Sequence, residues 1–421
     1  MNEIRKLSNG ITVVLEPMDY LNTVAFGVWV NVGSRNETKE NNGIAHVIEH
    51  MLFKGTKKRT SRQIADDMAK IGGNVNAYTT KECTSYYTTT LAEHLPAAIE
   101  IISDMLQHST FEKEAFEKEK GVIIEEIDMY DDSPEDLVHE MLQQKIWKDH
   151  PLGYIISGTK ENVIGMTKEE IEEFMSEYYV AENMLISIAG RFNKETVMEL
   201  LEKAFSEIPH QKVKTQLVPP VYHQCMYTKE KDVEQVHLNI AFDSIEYDHE
   251  DKYIASIVNS ILGGGINSRL FMEIREEMGL TYSIYSYASS HVQAGLFHIY
   301  AAMNPSQTVT VFDAIFSVID ELIEDGIDED EMIMTVEQIK TDLVMASETA
   351  KSRMSSNAKA VMARGYIIPM EETLERLNAV TTQDVIRFMK QYFVKDKASI
   401  SLVGNLEDVD LKLFQKKVSL Q

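Results

Sequence analysis

Two stretches of the chain repeat one pattern of apolar and polar positions. Thr167-Lys-Glu-Glu-Ile-Glu-Glu-Phe-Met-Ser-Glu-Tyr-Tyr-Val spaces its apolar residues as a helix does, behind a threonine suited to cap the first turn, and leads into the apolar Leu-Ile-Ser-Ile-Ala-Gly190. Thr381-Thr-Gln-Asp-Val-Ile-Arg-Phe-Met-Lys-Gln-Tyr-Phe-Val, leading into Ser-Ile-Ser-Leu-Val-Gly404, does the same 214 positions later. Earlier in each half, the helical runs from Leu95 to Glu126 and from Val309 to Val344 match in pattern. The repetition predicts an α+β chain of two similar tandem domains: 1–212, a linker at 213–222 marked by Pro209, Pro219 and Pro220, and 223–421. A length of 421 residues, beyond what one core usually supports, agrees.

The halves differ where chemistry is concerned. Gly43-Ile-Ala-His-Val-Ile-Glu-His-Met-Leu-Phe contains His46, Glu49 and His50. At about 100° per residue these three fall within an arc of roughly 100°, so two imidazoles and a carboxylate share one helical face. Two neutral imidazoles one turn apart can bind a single Zn²⁺, leaving the carboxylate free to handle a proton. This is H-E-x-x-H read in reverse. With 12 histidines in the chain, chance would supply about a few hundredths of such a match. A catalytic zinc usually takes a third side chain. Phe116 to Tyr130 reads as a helix that stops at Asp131-Asp132-Ser133-Pro134. Glu119, Val122, Ile123, Glu126 and Tyr130 fall on one of its faces, opposite Lys118, Gly121, Glu125, Asp128 and Asp132. Glu126 thus points inward and completes the ligand set, since a carboxylate among apolar neighbours needs a compensating cation. Glu119, two turns earlier, would orient a ligand imidazole or help hold substrate, the plainer alternative being an ordinary salt bridge.

His46-x-x-Glu49-His50 followed by Glu119-Lys-Gly-Val-Ile-Ile-Glu-Glu126 resembles the inverzincin peptidases related to pitrilysin, insulin-degrading enzyme and the mitochondrial processing peptidase. The resemblance covers essentially the whole chain, and by size it is to the short bacterial processing-peptidase type. It implies a zinc endopeptidase with His46, His50 and Glu126 as ligands and Glu49 as base. It further implies two mainly antiparallel sheets packed with helices, forming a clamshell around the peptide, and a homodimer. The second half lacks the motif and has Leu262-Gly-Gly-Gly-Ile-Asn-Ser-Arg-Leu-Phe-Met-Glu-Ile-Arg at the comparable stage, which gives one metal site per chain. That segment has neither phosphate-loop nor dinucleotide spacing and reads as a turn, with Asn267 or Ser268 capping a helix that ends near Gly279. Thr281 onward alternates as a strand. By the resemblance, Arg275 and Tyr282 contribute to peptide binding and to the reacting carbonyl, where a cationic fork and a phenol can donate to a developing oxyanion. Without it, a structural salt bridge and a buried tyrosine account for them equally well. Gly72-Gly-Asn-Val-Asn76-Ala77-Tyr78 and Ser85-Tyr-Tyr-Thr-Thr-Thr read as polar strands. The resemblance places Asn76 and Ala77 on the strand that pairs with an extended substrate, whereas composition alone allows a plain hairpin.

Charge and composition narrow the partners. A net charge of −26 repels nucleic acid and attracts basic peptides, although an acidic surface that only maintains solubility is an equal alternative. Two cysteines, Cys83 and Cys225, argue against a disulfide framework and for a reducing compartment. With no long apolar signal core at the start and no run of roughly 18 apolar residues, the expectation is a cytoplasmic protein without a membrane span. Co²⁺ or Mn²⁺ can substitute for zinc at such N/O sites. A purely structural zinc is disfavoured because neither cysteine lies in the motif. The competing function is a noncatalytic peptide-binding or assembly subunit of the same fold.

Overall fold

The computed structural model describes residues 2–73, 75–213 and 217–420, so part of the expected 213–222 linker lies outside it. Two compact units emerge, each built on one sheet. The first comprises Met1–Asp128, Tyr154–Leu217 and Val344–Ile367, and the second Met129–Gly153, Val218–Leu343 and Ile368–Gln421. They hold the bulk of the two tandem halves, but each half of the chain lends one helical segment to the other unit.

In the first unit, β1 (Glu3–Lys6), β2 (Thr12–Pro17), β3 (Thr23–Val30), β4 (Asn76–Thr79), β5 (Thr84–Leu91) and β6 (Met184–Gly190) form a sheet in the order β1-β2-β6-β3-β5-β4. Only β2 and β6 run parallel; the other pairs are antiparallel. The second unit repeats this with β7 (Met226–Glu230), β8 (Val236–Ser244), β9 (Thr281–His291), β10 (Ala294–Met303) and β11 (Ser399–Gly404) in the order β7-β11-β8-β10-β9, again with one parallel pair, β7 and β11. The two predicted repeats are the helix–strand pairs Lys168–Tyr178 with β6 and Thr382–Tyr392 with β11. Thr167 and Thr381 cap these helices, and Glu170 and Asp384 complete reciprocal capping boxes.

Both sheets are covered on both faces, which explains why β6 and β11 are buried along their whole length. On β6, Ile186 and Ile188 join a core with Phe26, Val28, Val47, Ile48, Ile99 and Ile102. Leu185 and Ala189, on the opposite face, pack with Trp29, Ala350, Met354 and Ala358 of the helix Ala350–Arg364. In the second unit, Ile400 and Leu402 of β11 face its main core, while Leu142, Ile146 and Trp147, of and just after the helix Pro134–Ile146, cover Ala241 and Leu296. Each sheet is therefore closed by a helix from the other half of the sequence. The serines that interrupt the apolar strands mark the seams. Ser187 Oγ donates to the carbonyl of Met354 at 2.8 Å, and Ser401 Oγ, 214 positions on, donates to that of Val138 at 2.5 Å. The first seam also holds buried Glu16, which accepts from Asn357 Nδ2 at 2.6 Å and pairs with Arg353 at 3.1 Å.

The exchange determines which unit a core mutation weakens. Leu142→Ala should cost about 2–5 kcal/mol, and amide hydrogen exchange should accelerate in β8 and β11, not in β3 and β6. Acceleration in the first sheet instead would assign the helix Pro134–Ile146 to the half of the chain that encodes it.

Candidate metal centre

The motif occupies the helix Ile44–Met51, where Ile44, Val47, Ile48 and Met51 anchor one side in the first core. His46 is buried, Glu49 and His50 are half-buried, and the two imidazoles meet edge to face with centroids 4.6 Å apart. The helix Lys113–Asp132 supplies Glu126. His46 Nε2 and His50 Nε2 lie 3.8 and 3.5 Å from the same Glu126 oxygen. Among the described residues, His46, His50 and Glu126 form the one cluster of three whose ligand atoms all fall within 4.8 Å of one another. Ligands of a tetrahedral zinc at 2.0–2.1 Å stand about 3.4 Å apart, so the donor set fits this ion in both spacing and chemistry.

The electrostatics suit a cation as well. Burial, reinforced by His50, pushes the His46 pKa down to about 4, and its Nδ1 is buried without a hydrogen-bond partner. The ring is therefore neutral at pH 7, the form that binds a metal. Glu119, also buried, lies with Oε1 2.9 Å from His50 Nδ1. That contact places the His50 proton on Nδ1 and leaves Nε2 free to face Glu126. The other Glu119 oxygen is 2.7 Å from Lys54 Nζ. Burial raises the Glu49 pKa, and a hydrogen bond from Thr79 Oγ1 together with the charge of His50 works against the rise. A base whose pKa is drawn upward in this way is better matched to neutral proton transfer.

Asn76 and Ala77 open β4, the terminal strand of the first sheet, three and two residues before the threonine that touches Glu49. Ala77 pairs with Tyr86 of β5, and no described strand lies on the outer side of β4. In the second unit, Arg275 sits in a π-helical stretch, Phe271–Glu277, and Tyr282 lies near the start of β9. The guanidinium carbon of Arg275 is 4.4 Å from the ring centroids of both Phe271 and Tyr282, and its Nε is 3.6 Å from Glu276 Oε1. Tyr282 is 77% exposed, which removes the buried structural tyrosine as its explanation.

Some expectations change. Val122 and Tyr130 are exposed; the inward stripe of the Glu119 helix is Phe116, Glu119, Lys120 and Ile123. Neither Asn267 nor Ser268 caps the next helix by a side-chain bond: Ser268 Oγ donates backward to the carbonyl of Gly265 at 2.6 Å. The motif also left out Lys54 and Thr79. Lys54, four residues after His50, could have been placed beside it by helical spacing. Thr79 carries no such signal, because its contact with Glu49 depends on where the strand lies.

If Glu119 holds the His50 tautomer, Glu119→Gln should weaken zinc binding by about 10–100-fold with the circular dichroism spectrum unchanged. Competition against a chromophoric chelator measures this, and an unaltered affinity would free His50 from that support.

Comparison with known proteins adds the lineage. Residues 12–160 match the family model described as Insulinase (Peptidase family M16), and residues 165–339 the Peptidase M16 inactive domain. The chain is 38% identical over 400 residues to the uncharacterized zinc protease YmxG of Bacillus subtilis (strain 168), covering 94% of this chain and 98% of that one. It is 36% identical over 412 residues to an uncharacterized zinc protease of Rickettsia felis, covering 98% of each. Among solved structures, a protease from Helicobacter pylori shares the fold with a TM-score of 0.89 at 21% identity, over 96% of this chain and 99% of that one. A peptidase M16 inactive domain from Pseudomonas fluorescens also has a TM-score of 0.89, at 19% identity, over 96% and 98%. Similarity along nearly the full length of its relatives makes this chain a member of the M16 peptidase family.

Proposed function

We propose that this chain is a zinc-dependent endopeptidase that hydrolyses peptides or unfolded segments bound in extended form within an enclosed chamber. The observation that carries the reading is the convergence of His46 Nε2, His50 Nε2 and Glu126 Oε2 at metal-binding spacing, with the Glu49 carboxyl beside them. His46, His50 and Glu126 hold the ion. When bound, zinc supplies Lewis acidity for the scissile carbonyl and makes water available as a nucleophile near neutral pH. Glu49 accepts the proton of the attacking water and passes it to the leaving nitrogen, while Thr79 holds its carboxyl in place. Glu119 keeps His50 in the ligating tautomer.

Substrate pairs along the outer side of β4 at Asn76 and Ala77, where main-chain hydrogen bonds give affinity without demanding one sequence. Arg275 and Tyr282 donate to the peptide and to the reacting carbonyl. Phe271 and Tyr282 pack against the guanidinium, and its planar fork of N–H groups suits it to donate to a peptide carbonyl. The net charge of −26 supports a preference for basic segments. We place the enzyme in the cytoplasm as a homodimer.

Glu49→Gln should keep its zinc and lose about 10²–10⁴-fold in peptide turnover, whereas His50→Ala should lose the metal itself. Elemental analysis alongside cleavage of a mixed peptide pool, with and without chelator, separates the two. Full turnover by Glu49→Gln would refute its role, and a zinc-loaded chain that cleaves nothing would favour the noncatalytic subunit.

A further inference from the structure

The motif helix is only eight residues long, and His46 is its third residue. Helices this short do not hold themselves in water, and their first N–H groups lack partners within the helix. The residue before it, Gly43, has φ of 101° and supplies no capping side chain. A carboxylate from six positions earlier takes that place. Glu37 is 3% exposed; its Oε1 accepts from the N–H of Ala45 at 2.9 Å, and its Oε2 from the N–H of Gly43 at 2.8 Å and from Asn42 Nδ2 at 2.7 Å. The same Asn42 amide reaches the carbonyl of Ile155 at 2.9 Å.

The turn that presents Glu37 is tied to the far end of the peptide-edge strand. The N–H of Ser34 bonds to the carbonyl of Thr80 at 3.3 Å, and that of Arg35 to the carbonyl of Lys81 at 2.7 Å. Gly33 allows this approach, since a Cβ there would meet the Thr80 oxygen at 2.2 Å. Thr79, one residue before, donates to Glu49. The connections close a ring: β4, the turn 33–37, the start of the motif helix, Glu49, and back to β4. Burial pushes the Glu37 carboxyl up to about 7, and the bonds from Gly43, Ala45 and Asn42 oppose the rise.

We infer that Glu37 is a positioning residue for the metal centre, fixing the rotation of the motif helix at His46 and its placement against the strand that carries Asn76 and Ala77. This rests on the zinc reading above. A helix begun one residue out of phase would turn His46 by about 100°, away from Glu126. Glutamine has nearly the same shape, but it sets an NH₂ group without a lone pair against an N–H donor, so it cannot reproduce the three contacts.

The test compares zinc affinity with thermal stability in the full chain. Glu37→Gln should weaken zinc binding by about 10–100-fold, the range seen when a group supporting a ligand is lost. Val197→Ala, a core change on the helix Lys194–Ala204, should lower the melting temperature and leave zinc affinity as it was. Asn42→Ala removes one of the three donors and should move affinity the same way by less, which keeps the test open if Glu37→Gln does not fold. Wild-type affinity in folded Glu37→Gln and in Asn42→Ala, or a matching loss in Val197→Ala, would overturn the positioning role alone. A wild-type chain that binds no zinc would overturn both this inference and the metal reading.

Discussion

Concentrated negative charge drawn partly out of water is the constraint on which the first unit turns. Glu49, Glu119 and Glu126 meet around two imidazoles, and Glu119 is almost wholly buried. Such a group repels itself unless cations answer it. Lys54 sets one positive charge against Glu119, and a divalent ion held by His46, His50 and Glu126 would add two more. Burial, with His50 beside it, lowers the His46 pKa despite these carboxylates and leaves the ring in the neutral form that binds a metal.

The scaffold holds this cluster through elements distant in sequence. The motif helix is anchored by its apolar side, the Glu126 helix crosses from the first unit into the second near its end, and β4 closes the sheet beside Glu49. In the second unit the corresponding edge belongs to β9, next to the π-helical segment that carries Arg275 against the rings of Phe271 and Tyr282. The two frames are similar, and among the described residues the cluster that could hold a metal lies on the first.

Much of this could be read from the chain because periodicity carries it. His46, Glu49 and His50 share a face by arithmetic alone, and Glu126 follows from the rule that a carboxylate on a buried stripe needs a partner. The repeat at Thr167 and Thr381 was visible because capping boxes and apolar strands leave strong local patterns. The exchanged helices were not visible: Pro134–Ile146 has the same amphipathic character whichever sheet it covers, and only Ser187 and Ser401 hint at the seams. Val122 and Tyr130 share the phase of Glu119 yet are exposed, because helical phase locates a face but not the width of the neighbour that covers it. Glu37 is not legible because two of its three partners are backbone N–H groups, which leave no mark on side-chain composition, and the third, Asn42, carries no spacing signal of its own.

The exchange also dictates an order of assembly. When a ribosome has released the strands of the first sheet, up to Gly190, the face formed by Val14, Ala25, Trp29, Leu185 and Ala189 has no cover. Its cover, Ala350–Arg364, is translated some 160 residues later. The nascent N-terminal half therefore spends that interval with an open apolar surface, a state prone to aggregation and suited to chaperone capture. Its closure waits for a segment of the second half, so the first frame matures only when much of the second has been made.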